Sequence, residues 1–181
     1  MKIGKMCVNT EKIFDSISGA NTDMTLEEKV VELLSKNRLS VTTAESCTGG
    51  LVSATIVNAP GASEVLNGSY VTYSNEQKQK VLGVKESTLE KYGAVSEEVA
   101  IEMAKGALVA ANADVAVSTT GIAGPGGGTY EKPVGLVYIG CAIKDKVYVE
   151  KHNFSGNRRE VRENTTVAAL TMILECLQKS L

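Results

Sequence analysis

The stretch TTAESCTGGLVSA, Thr42–Ala54, contains the transition that decides the fold. A run of β-forming residues ends at a small hydroxyl and a thiol, and a Gly-Gly pair then opens an apolar helical segment. A strand that passes directly into a helix is typical of α/β domains, and the first backbone N–H groups of such a helix can bind an anion. Ser46 is therefore either a nucleophile or, like Thr48, a cap for the helix.

The rest of the chain repeats this alternation and then changes to a hairpin. The predicted strands are Leu39–Thr43, Ser69–Tyr73, Asp114–Thr119, Gly135–Ile143 and Val147–Phe154. A long helix is predicted from about Arg158. The pattern predicts a single three-layer α/β/α domain over residues 24–181, with a mixed sheet that includes a C-terminal antiparallel hairpin. Residues 1–23 are predicted to be a tail or a marginal helix.

Capping pairs mark the predicted helix starts, because a hydroxyl residue followed three positions later by Glu or Gln satisfies free N–H groups. These pairs are Thr25 with Glu28, Ser74 with Gln77 and Ser87 with Glu90, and Ser96 caps the most regular helix.

Composition excludes several classes of function. The chain has 181 residues, of which 43% are hydrophobic, and a net charge of −2 without a basic block, so no nucleic-acid partner is expected. No apolar run is long enough to span a bilayer and the start does not resemble a signal peptide, so no membrane association is expected. Four scattered cysteines and one histidine predict no metal site and a reduced, cytoplasmic setting. The apolar face of the last helix suggests a homo-oligomer.

Lys78 is the candidate base for Ser46. In a helix that begins near Asn75, Lys78 lies three and four residues before Val81 and Leu82, which places it on the inward face. Burial lowers the pKa of a lysine, and a neutral amine can accept the proton of a serine hydroxyl. Tyr73, at the end of the preceding strand, could relay that proton. The alternative is an ordinary lysine that extends its ammonium group to water.

Two further segments could bind a ligand. Glycines in the loop of residues 121–133 allow close approach of the backbone, although the loop lacks the P-loop and dinucleotide patterns. Arg158 and Arg162 share one face at the start of the last helix, where an anionic ligand would offset their conflict with the helix dipole. The alternatives are a flexible surface loop and salt bridges to nearby glutamates.

Two other residues offer rival chemistry. His152 lies in the predicted hairpin, and a Ser-His-Asp triad would depend wholly on it. Cys47, next to Ser46, is a rival nucleophile, although a small buried residue is its commoner role.

Together these segments resemble the CinA C-terminal domain family, the nicotinamide-nucleotide amidases (PncC). The matching segments, in order, are TTAESCTGGLVSA, YVTYSNEQKQKVLGV, YGAVSEEVA, TTGIAGPGGGTYEKPVG and FSGNRREVR. The resemblance implies hydrolysis of the carboxamide of nicotinamide mononucleotide to nicotinic acid mononucleotide and ammonia, with no metal or cofactor. Some family members carry an additional N-terminal domain, for which this chain has no room.

The resemblance also implies roles for residues. Ser46 matches the nucleophile, and Tyr73 and Lys78 match the Tyr and Lys of the YSNxxK motif. The residues expected to bind the substrate are Glu45, Thr48, Gly49, Thr120, Gly121, Gly124, Arg158 and Arg162. Among these, Thr48 and Gly49 would offer N–H groups to the oxyanion, the two arginines would bind the 5′-phosphate, and Glu45 or a tyrosine face would contact the pyridinium.

Two departures from the family and two alternative functions remain. Residues 1–23 have no clear counterpart in the family core, and Asn157 stands where the family often has Asp. The alternatives are a non-catalytic nucleotide-binding or regulatory module, and a Ser–Lys hydrolase of another small amide. An inward Lys78 within reach of Ser46 would favour an enzyme, and an outward Lys78 the module.

Overall fold

The computed structural model describes residues 24–180, which form a five-stranded sheet between two layers of helices. The strands are β1 (Val41–Glu45), β2 (Leu66–Val71), β3 (Val115–Gly121), β4 (Leu136–Ile143) and β5 (Lys146–Asn153). The helices are α1 (Leu26–Lys36), α2 (Leu51–Val57), α3 (Ala62–Val65), α4 (Asn75–Leu82), α5 (Glu86–Tyr92), α6 (Glu97–Ala111) and α7 (Arg158–Ser180). The predicted three-layer architecture is confirmed. The tail or marginal helix predicted for residues 1–23 lies outside the described residues.

The order of the strands brings three chain turns to one edge of the sheet. The order is β2-β1-β3-β4-β5; β1 pairs in parallel with β2 and β3, and β3-β4 and β4-β5 pair antiparallel. The predicted mixed sheet with a C-terminal hairpin is therefore confirmed. Because the carboxyl ends of parallel strands share an edge, the segments after β1, β2 and β3 meet there.

Two apolar cores flank the sheet. The larger core joins α1, α2 and α7 to the branched side chains of β3 and β4, and the smaller core joins α4, α5 and α6 to Ala44, Ala116 and Ala142. The second set of sheet residues is small, so α6 lies close to the strands. A Cβ on Gly140 would approach the Ala100 carbonyl oxygen of α6 to 2.8 Å. This close packing holds the segment before α6 against the carboxyl edge.

Several element boundaries differ from prediction. β1 extends to Glu45, two residues beyond the predicted end, because Ala44 and Glu45 still pair with both neighbouring strands. β2 begins at Leu66 rather than Ser69, directly after α3. Parallel partners, two for β1 and one for β2, set these limits, and no local pattern reveals them.

The helix caps are confirmed in part. Thr25 and Glu28 form both bonds of a capping box, and Ser74 accepts the N–H of Gln77. Ser87 does not cap α5; the helix begins one residue earlier, after Lys85, and Glu102 of α6 accepts the Lys85 N–H at 2.8 Å. The cap predicted at Ser87 is thus absent: no side chain accepts the first N–H groups of α5, and a distant carboxylate instead fixes the residue before the helix.

Replacing Gly106 of α6 by Ala tests the close approach of α4 and α6. A Cβ at this position would lie 1.9 Å from the Leu82 carbonyl oxygen. We expect Gly106→Ala to lower the free energy of unfolding by about 1–3 kcal/mol, although Ala favours a helix over Gly by about 1 kcal/mol. Urea unfolding measures the change. Gly68→Ala is the control, because no atom lies within 4 Å of its Cβ. Equal stability of Gly106→Ala and the wild type would contradict this packing.

Candidate active site

Ser46 directly follows β1 and is held by bonds that extend the sheet. Its N–H donates to the Thr119 carbonyl at 2.9 Å, and the Thr72 N–H donates to the Glu45 carbonyl at the same distance. The backbone around Ser46 is thus fixed between the ends of β2 and β3. The half-buried Ser46 side chain lies at the carboxyl edge of the sheet, where ligands bind in open α/β folds.

Glu45, and neither Ser46 nor Thr48, caps α2. The Glu45 carboxylate is fully buried and accepts hydrogen bonds from the N–H groups of Gly50 (2.9 Å), Val52 (3.1 Å) and Ser53 (2.8 Å). The left-handed conformations of Gly49 and Gly50, with φ of 62° and 96°, turn the chain so that these groups face the carboxylate. The Ser46 hydroxyl is therefore not used for capping.

Lys78 is buried and contacts the Ser46 hydroxyl. Its side chain is 1% exposed, and Nζ lies 3.0 Å from Ser46 Oγ while donating to the carbonyls of Thr72 (2.8 Å) and Tyr73 (3.1 Å). The predicted inward orientation of Lys78 is confirmed, as is the exposure of Lys80. No carboxylate of residues 24–180 forms an ion pair with Lys78.

This burial prepares the amine to act as a base. Loss of hydration lowers the pKa of Lys78 to about 8. In the neutral amine, two N–H groups can bond the two carbonyls and leave the lone pair for the Ser46 hydroxyl. The arrangement can therefore remove the serine proton without a histidine.

Tyr73 and Arg158 form the rim of the site. Arg158 donates from Nη1 to the Gly124 carbonyl (2.8 Å) and from Nη2 to the Tyr73 hydroxyl oxygen (3.1 Å). Tyr73 is 61% exposed, so its hydroxyl is fixed chiefly by Arg158. The guanidinium consequently links the end of β2 to the glycine loop.

A cavity of about 260 Å³ opens onto the Ser46–Lys78 pair. The residues that line it come from the ends of three strands and from the connection between α5 and α6. They are Ser46, Cys47, Tyr73, Lys78, Ala94, Val95, Thr120, Gly121, Ile122, Ala123, Gly124, Gly126, Gly127 and Arg158. The lining has two basic side chains and no acidic one, a composition that suits an uncharged or anionic ligand.

Seven of the eleven predicted site residues line this cavity: Ser46, Tyr73, Lys78, Thr120, Gly121, Gly124 and Arg158. The Thr120 side chain is 1% exposed and donates to the Ala94 carbonyl at 2.7 Å. It therefore holds the wall of the cavity in place.

The other four predicted residues lie outside the cavity lining. The Glu45 carboxylate is sealed beneath α2, so its placement does not support the expected contact with a pyridinium. The Thr48 hydroxyl pairs with that of Thr119 at 2.7 Å, and exposed Gly49 lies beside Arg162. Arg162 donates to the Thr48 carbonyl at 2.6 Å. These residues support the turn that carries Ser46.

The cavity also contains residues that were not predicted to form the site. Ala94, Val95, Ile122 and Ala123 supply apolar walls. They fall inside the segments YGAVSEEVA and TTGIAGPGGG. Their position within these family segments was the only feature of the sequence that could have indicated a place in the site. Apolar side chains carry no chemical signature, and only the tertiary structure shows that they face a ligand.

A second cavity of about 610 Å³ adjoins the first at Arg158. Arg158, Arg159 and Arg162 line it at the start of α7. Asn157 caps this helix, since its Oδ1 accepts the N–H groups of Arg159 (2.9 Å) and Glu160 (3.1 Å). Asn at this position therefore still serves as a cap. The Arg159 guanidinium pairs with Glu163. Arg158 and Arg162 are therefore the arginines that lie nearest the turn containing Ser46.

Cys47 and His152 are poor rivals for Ser46 and Lys78. Cys47 is 6% exposed, and burial raises the pKa of its thiol to about 11, so the nucleophilic thiolate is disfavoured near neutral pH. His152 lies in β5, bonds Glu150 at 2.9 Å and stacks on Phe154. It does not line the cavity.

A larger groove of about 680 Å³ lies between α4 and α6, lined by apolar residues with Lys85, Glu98, Glu102 and Lys105 at its border. It contains no Ser, Cys, Thr or His side chain. We therefore place the chemistry at the smaller cavity, where a nucleophile and a base are in contact.

Comparison with known proteins identifies the family. The model of the CinA C-terminal domain matches residues 23–177. The chain belongs to the CinA C-terminal domain family. The match spans the whole sheet and every residue of the candidate active site.

Solved structures of the CinA superfamily share the fold. The competence/damage inducible protein CihA from Agrobacterium tumefaciens is 39% identical with a TM-score of 0.79, over 88% of this chain and 99% of that one. A CinA superfamily protein from Klebsiella pneumoniae 700603 is 30% identical with a TM-score of 0.82, over 95% and 99% of the two chains.

A relative from Clostridium botulinum (strain 657 / Type Ba4), named as a competence-damage inducible protein, is 50% identical over 164 residues. The match covers 91% of this chain but 40% of the relative. The chain thus spans about two fifths of the length of such CinA relatives.

Membrane-spanning helices are not found in residues 24–180, since none of the helices there combines sufficient length with sufficient apolar character.

The lowered pKa of Lys78 predicts how the reactivity of Ser46 depends on pH. The neutral amine is the base, so its fraction falls about tenfold for each pH unit below the pKa. We expect the rate of Ser46 modification by a small fluorophosphonate to rise with pH and to level off above about 8. Intact-mass spectrometry measures the rate.

Two variants control this measurement. Cys47→Ala should keep the pH profile, and Lys78→Met should lose both the rate and the inflection. An inflection near 11 that disappears in Cys47→Ala would assign the chemistry to the thiol instead.

Proposed function

We propose that the protein is a nicotinamide-nucleotide amidase, which hydrolyses nicotinamide mononucleotide to nicotinic acid mononucleotide and ammonia through a Ser–Lys acyl-enzyme. The observation that carries this proposal is the 3.0 Å contact between Ser46 Oγ and the buried Lys78 Nζ. Family membership adds support through the ordered motifs that surround this pair.

In the proposed first half-reaction, neutral Lys78 accepts the Ser46 proton as Ser46 Oγ attacks the amide carbon. The Ser46 N–H is already bonded to Thr119, and Thr48 and Gly49 lie outside the cavity lining, so the N–H groups that follow Ser46, beginning with that of Cys47, are the proposed donors to the oxyanion. Each such donor typically lowers the barrier by about 2.7–4 kcal/mol. The Lys78 ammonium protonates the amide nitrogen as the C–N bond breaks, and this nitrogen leaves as ammonia.

In the second half-reaction, water attacks the acyl-enzyme ester while Lys78 accepts its proton. The ester bond to Ser46 breaks, Lys78 returns the proton to Ser46 Oγ, and nicotinic acid mononucleotide leaves. Tyr73, whose hydroxyl Arg158 orients, assists proton transfer at the mouth of the cavity. Its ring face, rather than the sealed Glu45 carboxylate, is the proposed contact for the pyridinium.

The phosphate of the substrate is assigned to the arginines at the start of α7. Arg158 touches both cavities, and Arg162 lines the second. Arginine binds phosphate through paired N–H donors, and the α7 N-terminus adds its dipole. The glycine loop, which Arg158 holds at Gly124, forms the wall beside the nucleotide.

The Ser–Lys contact favours an enzyme over a non-catalytic nucleotide-binding module. Binding alone would not require a buried lysine without an ion pair, since desolvating its charge costs free energy. A Ser–Lys hydrolase of another small amide remains the competing function, and an ammonia-release assay on nicotinamide mononucleotide, nicotinamide and glutamine, without added metal, separates the two.

Ser46→Ala and Lys78→Met should each nearly abolish ammonia release from nicotinamide mononucleotide. General-base catalysis typically contributes about 10²- to 10⁴-fold, which sets the expected loss of kcat in Lys78→Met. Lys80→Met, an exposed change in the same helix, is the matched control and should retain wild-type turnover. Circular dichroism checks that each variant folds. Near-normal turnover in Ser46→Ala or Lys78→Met would exclude the Ser–Lys assignment.

Arg158→Ala should weaken the binding of a substrate that carries a phosphate more than the binding of one that lacks it. Loss of a charged hydrogen bond costs about 1.5–3 kcal/mol, or roughly 10- to 100-fold in KM for nicotinamide mononucleotide. The ratio of kcat/KM for nicotinamide mononucleotide to that for nicotinamide riboside should fall by the same factor. Arg159→Ala is the control, because that guanidinium pairs with Glu163. An unchanged ratio in Arg158→Ala would place the phosphate elsewhere.

A further inference from the structure

Lys132 connects two segments that both line the cavity at Ser46. Its Nζ donates to the carbonyl oxygens of Tyr92 at 2.6 Å and Val95 at 2.7 Å, across 40 and 37 residues of sequence. Lys132 is half-buried, and no carboxylate of residues 24–180 forms an ion pair with it. The Lys132 ammonium group therefore donates hydrogen bonds to main-chain carbonyls and does not form an ion pair with a described carboxylate.

The first wall is the connection between α5 and α6, residues 92–96. Ala94 and Val95 of this connection line the cavity. Besides the two bonds from Lys132, the Ala94 carbonyl accepts the Thr120 hydroxyl at 2.7 Å and the Gly93 carbonyl accepts the Ser96 hydroxyl at 2.9 Å. Four consecutive carbonyls are therefore held by side chains, two of them by Lys132 alone.

The second wall is the glycine loop, of which Ile122, Ala123, Gly124, Gly126 and Gly127 line the cavity. Lys132 follows this segment and is anchored in a tight turn, since its N–H donates to Thr129 Oγ1 (3.0 Å) and its carbonyl accepts the Thr129 N–H (2.8 Å). A side chain anchored at its own backbone in the loop and bonded to the other wall fixes the position of one wall relative to the other.

We propose that Lys132 is a positioning residue, which fixes the width of the cavity so that the amide of the substrate is presented to Ser46. This inference rests on the proposed amidase function. Lys132 does not line the cavity, so it acts through Ala94 and Val95 rather than on the substrate. Misplacement of a reacting group by about 1 Å can lower a rate about 100-fold, so control of this width matters for the reaction.

The test compares Lys132→Met, which keeps the length of the stem but lacks donors, with Lys132→Arg, which restores them. Lys144→Met is the matched control: Lys144 also donates to a main-chain carbonyl, that of Ser180 at 3.1 Å, but lies at the opposite edge of the sheet. We expect kcat/KM for nicotinamide mononucleotide to fall about 10- to 100-fold in Lys132→Met, to recover largely in Lys132→Arg, and to stay unchanged in Lys144→Met.

Modification of Ser46 by a small fluorophosphonate separates positioning from general damage. The reagent needs the Ser46–Lys78 pair but not the walls, so its rate should be equal in Lys132→Met and the wild type. A parallel loss of fluorophosphonate reactivity and amidase activity would overturn the positioning role, because it would show that the Ser46–Lys78 pair itself is disturbed.

Hydrogen exchange tests the connection independently of the substrate. Lys132→Met should increase deuterium uptake in residues 92–96 and 121–134, and Lys144→Met should not. Unchanged uptake in both segments would overturn the proposal, as would raised uptake with an unchanged kcat/KM. If the wild type releases no ammonia from nicotinamide mononucleotide, the proposed function fails, while the exchange result still decides whether Lys132 holds the walls.

Discussion

The buried carboxylate of Glu45 is the constraint on which the site depends. A carboxylate without exposed surface is stable only when hydrogen bonds replace its hydration. Three N–H groups from the first turns of α2 and the Thr43 hydroxyl supply them. Since Glu45 is the last residue of β1, these hydrogen bonds fix the end of the strand to the start of α2. Ser46 then lies in the turn between them. Ser46, the proposed nucleophile, is placed by its neighbour, so its own hydroxyl need not cap the helix.

Lys78, the partner of Ser46, is likewise a buried polar group whose hydration is replaced by hydrogen bonds. Lys78 has lost nearly all contact with water, and two main-chain carbonyls from the end of β2 orient its Nζ. Those carbonyls are presented because the strand ends and the chain turns into α4. A lysine in such surroundings is less easily protonated than in water. In the proposed mechanism, burial of Lys78 thus supplies what a histidine supplies in many serine hydrolases, and His152 is engaged elsewhere by Glu150 and Phe154.

The cavity walls follow from packing on the other face of the sheet. Small residues beneath α6 let the helix lie close to the strands, which carries Ala94 and Val95 to the carboxyl edge. The glycine loop forms a further wall: Arg158 bonds the loop at the Gly124 carbonyl oxygen, and Lys132 of the loop bonds the carbonyl oxygens of Tyr92 and Val95. The walls and the catalytic pair are therefore supported by different contacts. Changes in one can be measured while the other is intact.

Local patterns in the sequence determined the alternation of strands and helices, the caps at Thr25 and Ser74, and the inward phase of Lys78, because each depends on residues within one or two turns. The order of the motifs also indicated the family. Only the tertiary structure decided the limits of β1 and β2, the contact of Glu102 with the start of α5, and the burial of Glu45 beneath α2 rather than against a ligand. In the first two cases the partners are distant in sequence, and in the third a carboxylate can bind either a cation or a helix N-terminus. The same reason applies to Lys132: the two carbonyls that it bonds come close to it only once α5, α6 and the glycine loop are packed around the sheet.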